Sequence, residues 1–426
     1  MPLEPLNTLS ATKALTGLKR GEFTALDLTR ACLERIHARD EQVKAWLSLD
    51  PNAEQEAAKI TADDPRPLAG LPIGVKDVFD THDLPTTYNS PIFANHQPTL
   101  DAAAVTMLRA AGAIIIGKTD TTEFAAAGRN AATGNPANLA HTPGGSSAGS
   151  AAAVADFHVP LALATQTGGS TIRPASFCGI FGMKPSYGLI STEGMKRYAP
   201  SFDTVGVYGR DITDLELAAK VFDLPAATQS GPFRLGISYT AHRAQLSPPM
   251  VALLDQIGEL PMVSSFELPA EFAQLDDLHR AVMFAEGAST FLPLSRTASH
   301  ELHQDFHARI QSRTADTMRE AFIARDAMSR FANQLENMMI SSGIDALIVP
   351  AAPGPAPLGR DPGNPIFNAM WTALQMPCVT LPVAKHAGLP MGIQIVGPRA
   401  NDGQLLRIAG ELFQHIKTQE HANAPI

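Results

Sequence analysis

The chain has few cysteines and no long apolar run, the features that mark disulfide-rich, zinc-binding and membrane proteins. Its 426 residues include three cysteines, Cys32, Cys178 and Cys378, which lie far apart and form no CxxC pair. That argues against a disulfide framework or a zinc ribbon and is typical of a reducing compartment, so we expect a cytoplasmic protein. No apolar run approaches the roughly 18 residues that a membrane-spanning helix requires. Residues 1–6 show no apolar stretch of a signal peptide.

Long runs of positive charge are also missing. The formal net charge is −9, and no basic run reaches five residues. We therefore expect neither nucleic acid nor a membrane surface as a partner. With 45% hydrophobic and 18% charged residues, the composition is that of an ordinary compact chain.

Helical and strand-like patterns alternate along the first part of the chain. Residues 24–38 are predicted to form an amphipathic helix that begins with a Thr24–Asp27 cap. Ile73 and Val75 alternate with Gly74 and Lys76 as in a strand, with Lys76 on the opposite face. A helix over 101–111 is followed by the apolar run 113–116. This alternation predicts an α/β fold.

We predict a single domain over residues 1–426, because no segment is long enough to be an interdomain linker. Its parts are a catalytic core at about 65–230, a peripheral helical region at about 231–345, and the C-terminal part of the core at 346–426. Within these parts, residues 147–155 and 300–340 are predicted to be helical, and residues 346–349 to form a buried strand.

Two glycine–serine segments and one lysine carry the candidate chemistry. Gly168-Gly169-Ser170 follows the apolar run 159–164, and a tight glycine turn there presents a hydroxyl at a strand end. The glycines also allow successive N–H groups to point at one oxyanion. Gly144-Gly145-Ser146 and Lys76 in Gly74–Asp77 complete a set that suggests a serine–serine–lysine hydrolase.

These segments resemble the amidase signature family. That family has a lysine in G-V/I-K-D, a G-G-S-S-x-G-S segment and a nucleophile in D/Q-T-G-G-S, at the spacing seen here. The resemblance continues through Cys178–Pro185 and Gly388–Gln394, and it is weakest across about 230–340. It implies a central mixed β-sheet of many strands covered by helices, no cofactor, and a homodimer as the oligomeric state.

The resemblance also implies a role for each candidate residue. Ser170 would be the nucleophile, and Ser146, following a cis bond to Gly145, would relay its proton to Lys76. Lys76 can act as a base only when neutral, so its pKa must fall from about 10.4 toward roughly 7–8. Gly145 is assigned to the substrate-binding surface. The predicted oxyanion hole consists of the N–H groups of Thr167, Gly168, Gly169 and Ser170.

Two departures from the common pattern bear on the substrate. Gln166 stands where much of the family has Asp, and Arg173 follows the nucleophile by three residues rather than two. Both are similar to malonamidase-type bacterial amidases, which implies that Arg173 holds a substrate carboxylate. Alternatively, Arg173 ties the nucleophile turn down through backbone carbonyls.

The predicted reaction is hydrolysis of a small-molecule amide to a carboxylic acid and ammonia or an amine. Carbamate, urea-type and aryl amide substrates remain alternatives. The family's amidotransferase subunit, which acts on misacylated tRNA with partner chains, fits less well because its usual Asp is Gln166 here. Specificity is predicted to lie in Met195–Phe202 and in residues 230–340.

Other motifs offer competing interpretations. Gly145–Gly149 matches G-x-S-x-G with Ser147 as nucleophile, but residues 138–143 make a poor preceding strand. Residues 112–119 match the nucleotide-binding pattern G-x₄-G-K-T, yet the four middle residues are apolar and resemble a strand. His300, His303 and His307 lack the Glu of H-E-x-x-H, so we predict no metal.

Overall fold

Eleven strands of the described residues form the central sheet of the protein. The computed structural model describes residues 4–422; residues 1–3, on which the predicted absence of a signal peptide partly depends, and residues 423–426, the end of the predicted domain, lie outside them. The strands are β1 (Trp46–Leu49), β2 (Pro72–Lys76), β3 (Ile114–Thr119), β4 (Leu161–Gln166), β5 (Phe181–Lys184), β6 (Thr204–Gly209), β7 (Leu235–Ile237), β8 (Val263–Ser265), β9 (Ala346–Pro350), β10 (Cys378–His386) and β11 (Leu389–Val396).

All eleven strands belong to one mixed sheet, in the order β1-β3-β2-β4-β6-β5-β10-β11-β9-β7-β8. Strands β3, β2 and β4 are parallel, as are β9, β7 and β8, and the remaining neighbours pair antiparallel. The predicted α/β fold with a mixed sheet is therefore confirmed. Because β2 and β4 are parallel neighbours, their carboxyl ends lie at one edge, where ligand sites of such sheets occur.

Helices cover this sheet. They are α1 (Ala11–Lys19), α2 (Ala25–Val43), α3 (Ala53–Ala57), α4 (Ala103–Ala110), α5 (Ala148–Ala155), α6 (Ile172–Cys178), α7 (Ile212–Val221), α8 (Pro248–Gly258), α9 (Leu275–Thr297), α10 (Gln304–Gln311), α11 (Ala315–Ser342), α12 (Ala369–Ala373) and α13 (Asp402–Ala422). Helix α5 packs on β2, β3, β4 and β6, while α6 packs on β5, β10 and β11.

The local predictions agree with these elements. Helix α2 begins with the predicted cap, in which Thr24 Oγ1 accepts from the Asp27 N–H at 3.1 Å, although the helix extends beyond residue 38 to Val43. Helix α5 is composed of small residues because it lies close to its neighbours. A Cβ at Gly149, for example, would lie 2.3 Å from Ala45 O.

The nucleotide-binding pattern is a strand in the structure. Residues Ile114–Thr119 form the buried strand β3, which is bonded to β1 and β2. A phosphate-binding loop needs a turn at this position, with N–H groups free for the ligand. The interpretation of this match as a strand is confirmed, and it leaves no loop for a phosphate.

The predicted helices at 300–340 are α10 and α11, and the predicted buried strand at 346–349 is β9. His303 lies just before α10, where its Nδ1 accepts from the Asp305 N–H, and His307 Nε2 bonds Ser299 O at 2.9 Å. None of the helices within residues 4–422 is both long and apolar enough to cross a membrane.

Candidate active site

The carboxyl ends of β2 and β4 bring the lysine and the serine segment together. Lys76 is the last residue of β2 and Gln166 the last of β4, and Val75 pairs with Leu163 between them. The residues after Gln166, 167–170, are called the glycine turn below. Helix α6 begins directly behind this turn, so that Ser170 lies just before a helix N-terminus.

Lys76 is fully buried among hydroxyl groups. Its Nζ donates to Thr165 Oγ1 at 2.6 Å, to Ser146 Oγ at 2.7 Å and to Ser147 Oγ at 2.9 Å. Burial lowers the pKa of the Lys76 ammonium well below its usual range, while the Asp203 carboxylate acts in the opposite direction. A neutral amine has one lone pair, and a hydroxyl group is a partner that can donate to it.

Two other lysines are buried as completely but have different partners. Burial lowers the pKa of Lys118, but the Asp77 carboxylate 3.1 Å away acts in the opposite direction and favours the ammonium form. Lys118 has one hydroxyl partner, Thr86 Oγ1 at 2.6 Å. Lys184 donates to the backbone carbonyls of Pro185 and Met376 at 3.0 and 2.5 Å. Carbonyl oxygens cannot donate a proton, and a carboxylate retains a charged lysine. Of the three, Lys76 has the surroundings that best suit a neutral base.

The hydroxyl groups of Ser146 and Ser147 differ in the number of hydrogen bonds that they form. Ser147 Oγ donates to Thr165 O at 3.2 Å, accepts from Thr165 N at 3.2 Å and also accepts from Lys76. Ser146 Oγ bonds only Lys76 within residues 4–422, and its peptide bond to Gly145 is cis, as the resemblance implied. No strand precedes Ser147 at 138–143, which agrees with the prediction that this is a poor nucleophile elbow.

Ser170 ends the glycine turn and is 9% exposed. Its Oγ has no hydrogen-bond partner among the described residues, so the predicted link from Ser170 to Ser146 is not formed in this structure. The N–H groups of Gly168, Gly169 and Ser170 likewise donate to no acceptor in residues 4–422. Three adjacent free donors beside a serine are the arrangement that a tetrahedral oxyanion requires.

Three buried side chains that sequence reasoning missed contact the glycine turn. Asp203 Oδ1 accepts from Thr167 Oγ1 at 2.5 Å, His279 Nε2 bonds Thr167 O at 2.8 Å, and Thr372 Oγ1 donates to Gly168 O at 2.8 Å. No motif spacing marks them, because each comes from a distant segment. They lie before β6, in α9 and in α12 respectively.

Asp203 also connects the turn to the predicted specificity segment. Its Oδ2 accepts from the N–H groups of Tyr198 and Ala199 at 2.6 and 3.0 Å. Burial raises the pKa of the Asp203 carboxyl to about 7, although the hydrogen bond from Thr167 acts to lower it. Phe202, the last residue of that segment, stacks on His279 with a centroid separation of 4.4 Å.

Arg173 holds the cis-peptide segment with most of its guanidinium. Its Nη2 donates to Gly145 O at 2.7 Å and its Nε donates to Pro362 O at 2.6 Å. The acceptors are backbone carbonyls, as in the tethering alternative, but they belong to the cis-peptide segment and the loop at Pro362 and not to the glycine turn. Nη1 is buried and has no partner among the described residues. Gly145 has no room for a side chain, because a Cβ there would lie 2.7 Å from Pro362 Cβ.

Among the described residues, one group of side chains has the spacing of a metal site: His82, Asp83 and Asp101. Arg109 occupies it, with nitrogens 2.6 Å from Asp83 and 3.1 Å from Asp101. A guanidinium between the two carboxylates disfavours a cation there, so we assign no metal to this group. That the protein uses no metal and no cofactor remains a prediction.

Comparison with known proteins identifies the family. The family model described as Amidase matches residues 27–233. One subunit of the glutamyl-tRNA(Gln) amidotransferase from Roseiflexus sp. (strain RS-1) is 32% identical over 482 residues, covering 99% of this chain and 98% of that protein. Among solved structures, a crystal structure of an amidase matches with a TM-score of 0.84 and 28% identity, covering 96% of this chain and 100% of the other.

A second solved structure, the native peptide amidase of Stenotrophomonas maltophilia, matches with a TM-score of 0.81 and covers 96% of this chain and 97% of that one. At 24% identity it shows the likeness of the folds alone. The chain therefore belongs to the amidase signature family, and the resemblance found in its motifs is confirmed. It is an amidase-family hydrolase. Its place among malonamidase-type amidases stays a prediction.

Proposed function

We propose that this protein hydrolyses the C–N bond of a small amide through an acyl-enzyme on Ser170, with Ser146 and Lys76 relaying the proton. The observation that carries the proposal is the 2.7 Å hydrogen bond between Lys76 Nζ and Ser146 Oγ, in a buried site beside the glycine turn. Burial supplies the low pKa that a lysine base needs. The free N–H groups of the turn supply the oxyanion site.

The proposed first half-reaction begins with attack of Ser170 Oγ on the amide carbon. The Ser170 proton passes to Ser146 Oγ, and the Ser146 proton passes to neutral Lys76. The N–H groups of Gly168, Gly169 and Ser170 bind the resulting oxyanion, together with that of Thr167 in the predicted set. The C–N bond then breaks as the Lys76 ammonium returns a proton through Ser146 to the leaving nitrogen.

In the second half-reaction, water takes the place of the Ser170 hydroxyl. It attacks the acyl carbon, its proton follows the same relay, and Ser170 leaves with the returned proton. The relay requires Ser170 Oγ to approach Ser146 Oγ within hydrogen-bonding distance. Catalytic hydrogen bonds commonly tighten only when substrate is bound, so the gap in this structure agrees with the proposed path.

A carboxylate-bearing amide is the proposed substrate class. Arg173 is buried, and although burial lowers its pKa to about 10, it remains charged at neutral pH. Its unpartnered Nη1 is the group that would meet a substrate carboxylate. Carbamate, urea-type and aryl amide substrates remain alternatives for the same relay.

A panel of small amides, half with a free carboxylate, tests the substrate class by ammonia release. We expect acidic amides to be preferred. Arg173→Gln removes the charge and keeps one amide donor at about the position of Nε, so it should lower the acidic-to-neutral ratio of kcat/KM by about 10- to 100-fold. An equal loss of kcat/KM for the acidic and the neutral amides would mean that Arg173 tethers the backbone and binds no substrate carboxylate. Ser170→Ala supplies the background rate.

A second candidate follows from the amidotransferase relative. In that case this chain would be one component of a complex and would hydrolyse its amide together with partner chains. Activity of the purified chain alone on the panel favours the first candidate. Silence of the chain alone, with glutamine hydrolysis appearing only when the other subunits of an amidotransferase are added, favours the second.

A further inference from the structure

The backbone carbonyls of the first three residues of the glycine turn each accept a hydrogen bond. The pairs are Thr167 O with His279 Nε2 at 2.8 Å, Gly168 O with Thr372 Oγ1 at 2.8 Å, and Gly169 O with Arg173 N at 3.0 Å. A carbonyl oxygen only accepts, so His279 must carry its proton on Nε2. Burial lowers the pKa of His279 to about 4, which keeps the imidazole neutral near pH 7.

These three contacts also determine where the N–H groups point. The peptide bonds of the turn are trans, and in a planar trans peptide the carbonyl of one residue points opposite to the N–H of the next. The donor on Thr167 O therefore orients the Gly168 N–H, and the donor on Gly168 O orients the Gly169 N–H. Both N–H groups, like that of Ser170, have no acceptor among the described residues.

Gln166 controls the direction of the Thr372 hydroxyl. Its Oε1 accepts from the N–H groups of Thr171 and Ile172 at 2.9 and 3.0 Å, which fixes which end of the amide is oxygen. Its Nε2 then donates to Thr372 Oγ1 at 3.0 Å. Since Thr372 accepts this hydrogen bond, its own proton is left for a carbonyl, and Gly168 O at 2.8 Å is the nearer acceptor, ahead of Asn368 O at 3.3 Å. A carboxylate at position 166 could only accept, and it would draw the Thr372 proton away.

We propose that Gln166, Thr372 and His279 are positioning residues that orient the Gly168 and Gly169 N–H groups toward the substrate oxyanion. This inference rests on the proposed function and extends it to three residues outside the serine–serine–lysine set. It also gives the glutamine at position 166 a specific task, as the donor that directs Thr372. Helix α9, from the region where the family resemblance is weakest, thereby contributes to the reaction through His279.

A fluorophosphonate tests the proposal without knowledge of the substrate. Ser170 Oγ forms a bond to phosphorus, fluoride leaves, and the serine proton passes to the relay, while the phosphoryl oxygen occupies the oxyanion site. We expect Thr372→Val, Gln166→Glu and His279→Leu each to slow this labelling by about 10- to 100-fold. With an amide from the panel, kcat should fall by a similar factor and KM should change little.

Matched variants separate positioning from stability. Thr372→Ser keeps the hydroxyl and should restore most of the labelling rate, and His279→Gln keeps a donor and should do likewise. Thr380 is equally buried and donates to Ile172 O at 3.2 Å. Thr380→Val should therefore lower the melting temperature as Thr372→Val does, yet it should label at the wild-type rate.

The outcomes that overturn the proposal differ from those that overturn the proposed function. Wild-type labelling and kcat in folded Thr372→Val and His279→Leu would remove the positioning role. So would an equal loss in Thr380→Val at the same folded fraction. If Thr372→Val does not fold, Gln166→Glu decides in its place. A Ser170→Ala protein that still forms the adduct would instead overturn the assignment of the nucleophile.

Discussion

Ser170→Ala is expected to lower amide hydrolysis by at least about 10⁴-fold, because it removes the atom that forms the acyl-enzyme. Loss of the nucleophile leaves only binding and the oxyanion donors, which accelerate the reaction far less. The measurement is the initial rate of ammonia release, together with the intact mass of the protein after treatment with a fluorophosphonate. The variant should show no added mass.

Ser147 and Ser150 provide the controls for this substitution. Ser147→Ala should still form the adduct at Ser170, although its turnover should fall because Ser147 bonds Lys76. Ser150 is buried in α5 and donates to Leu163 O at 2.7 Å, so Ser150→Ala tests the loss of a buried hydroxyl away from the site. An adduct that survives in Ser170→Ala and disappears in Ser147→Ala would establish the G-x-S-x-G interpretation instead.

Lys76→Met is expected to lower kcat by at least about 10³-fold, since a thioether of similar length cannot take up the serine proton. The pH dependence should change as well. In the wild type, the ammonium form of Lys76 is inactive, so activity should fall as pH decreases through its pKa. Because burial lowers that pKa, this loss should occur well below the ordinary value of about 10.4. Activity against pH, measured with a hydrolysed amide, checks both points.

Lys184 is the matched control for Lys76. It is also fully buried and its pKa is also lowered by burial, but its hydrogen-bond acceptors in the described part of the chain are backbone carbonyls. Lys184→Met should therefore change the free energy of unfolding and leave the acid limb of the pH profile in place. Wild-type turnover in Lys76→Met, or loss of the acid limb in Lys184→Met alone, would contradict the assignment of the base.

Features set by neighbouring residues could be predicted from the sequence. The Thr24–Asp27 cap, the small helix α5 and the strands β2, β3 and β9 each follow from side chains within a few positions. Local periodicity and capping are short-range effects, so a single chain displays them directly. The mixed sheet, in contrast, was predicted from the family resemblance and not from these local patterns.

Contacts between distant segments could not be predicted. Asp203 meets Thr167 because β4 and β6 pair antiparallel, with Gln166 opposite Thr204. His279 and Thr372 reach the glycine turn from α9 and α12, more than one hundred residues along the chain. The spacing of these residues in the sequence does not predict their contacts, since the contacts depend on how the helices pack across the sheet.

The sequence by itself determined which reactive groups are present and in what order: Lys76, Ser146 and the turn that ends in Ser170. The tertiary structure alone decided that Lys76 is buried among hydroxyl groups, whereas Lys118 lies beside Asp77 and Lys184 beside carbonyls. The physical reason is that the pKa of a side chain depends on the water, charges and hydrogen-bond partners around it. Those surroundings come from segments that are remote in sequence and adjacent only after folding.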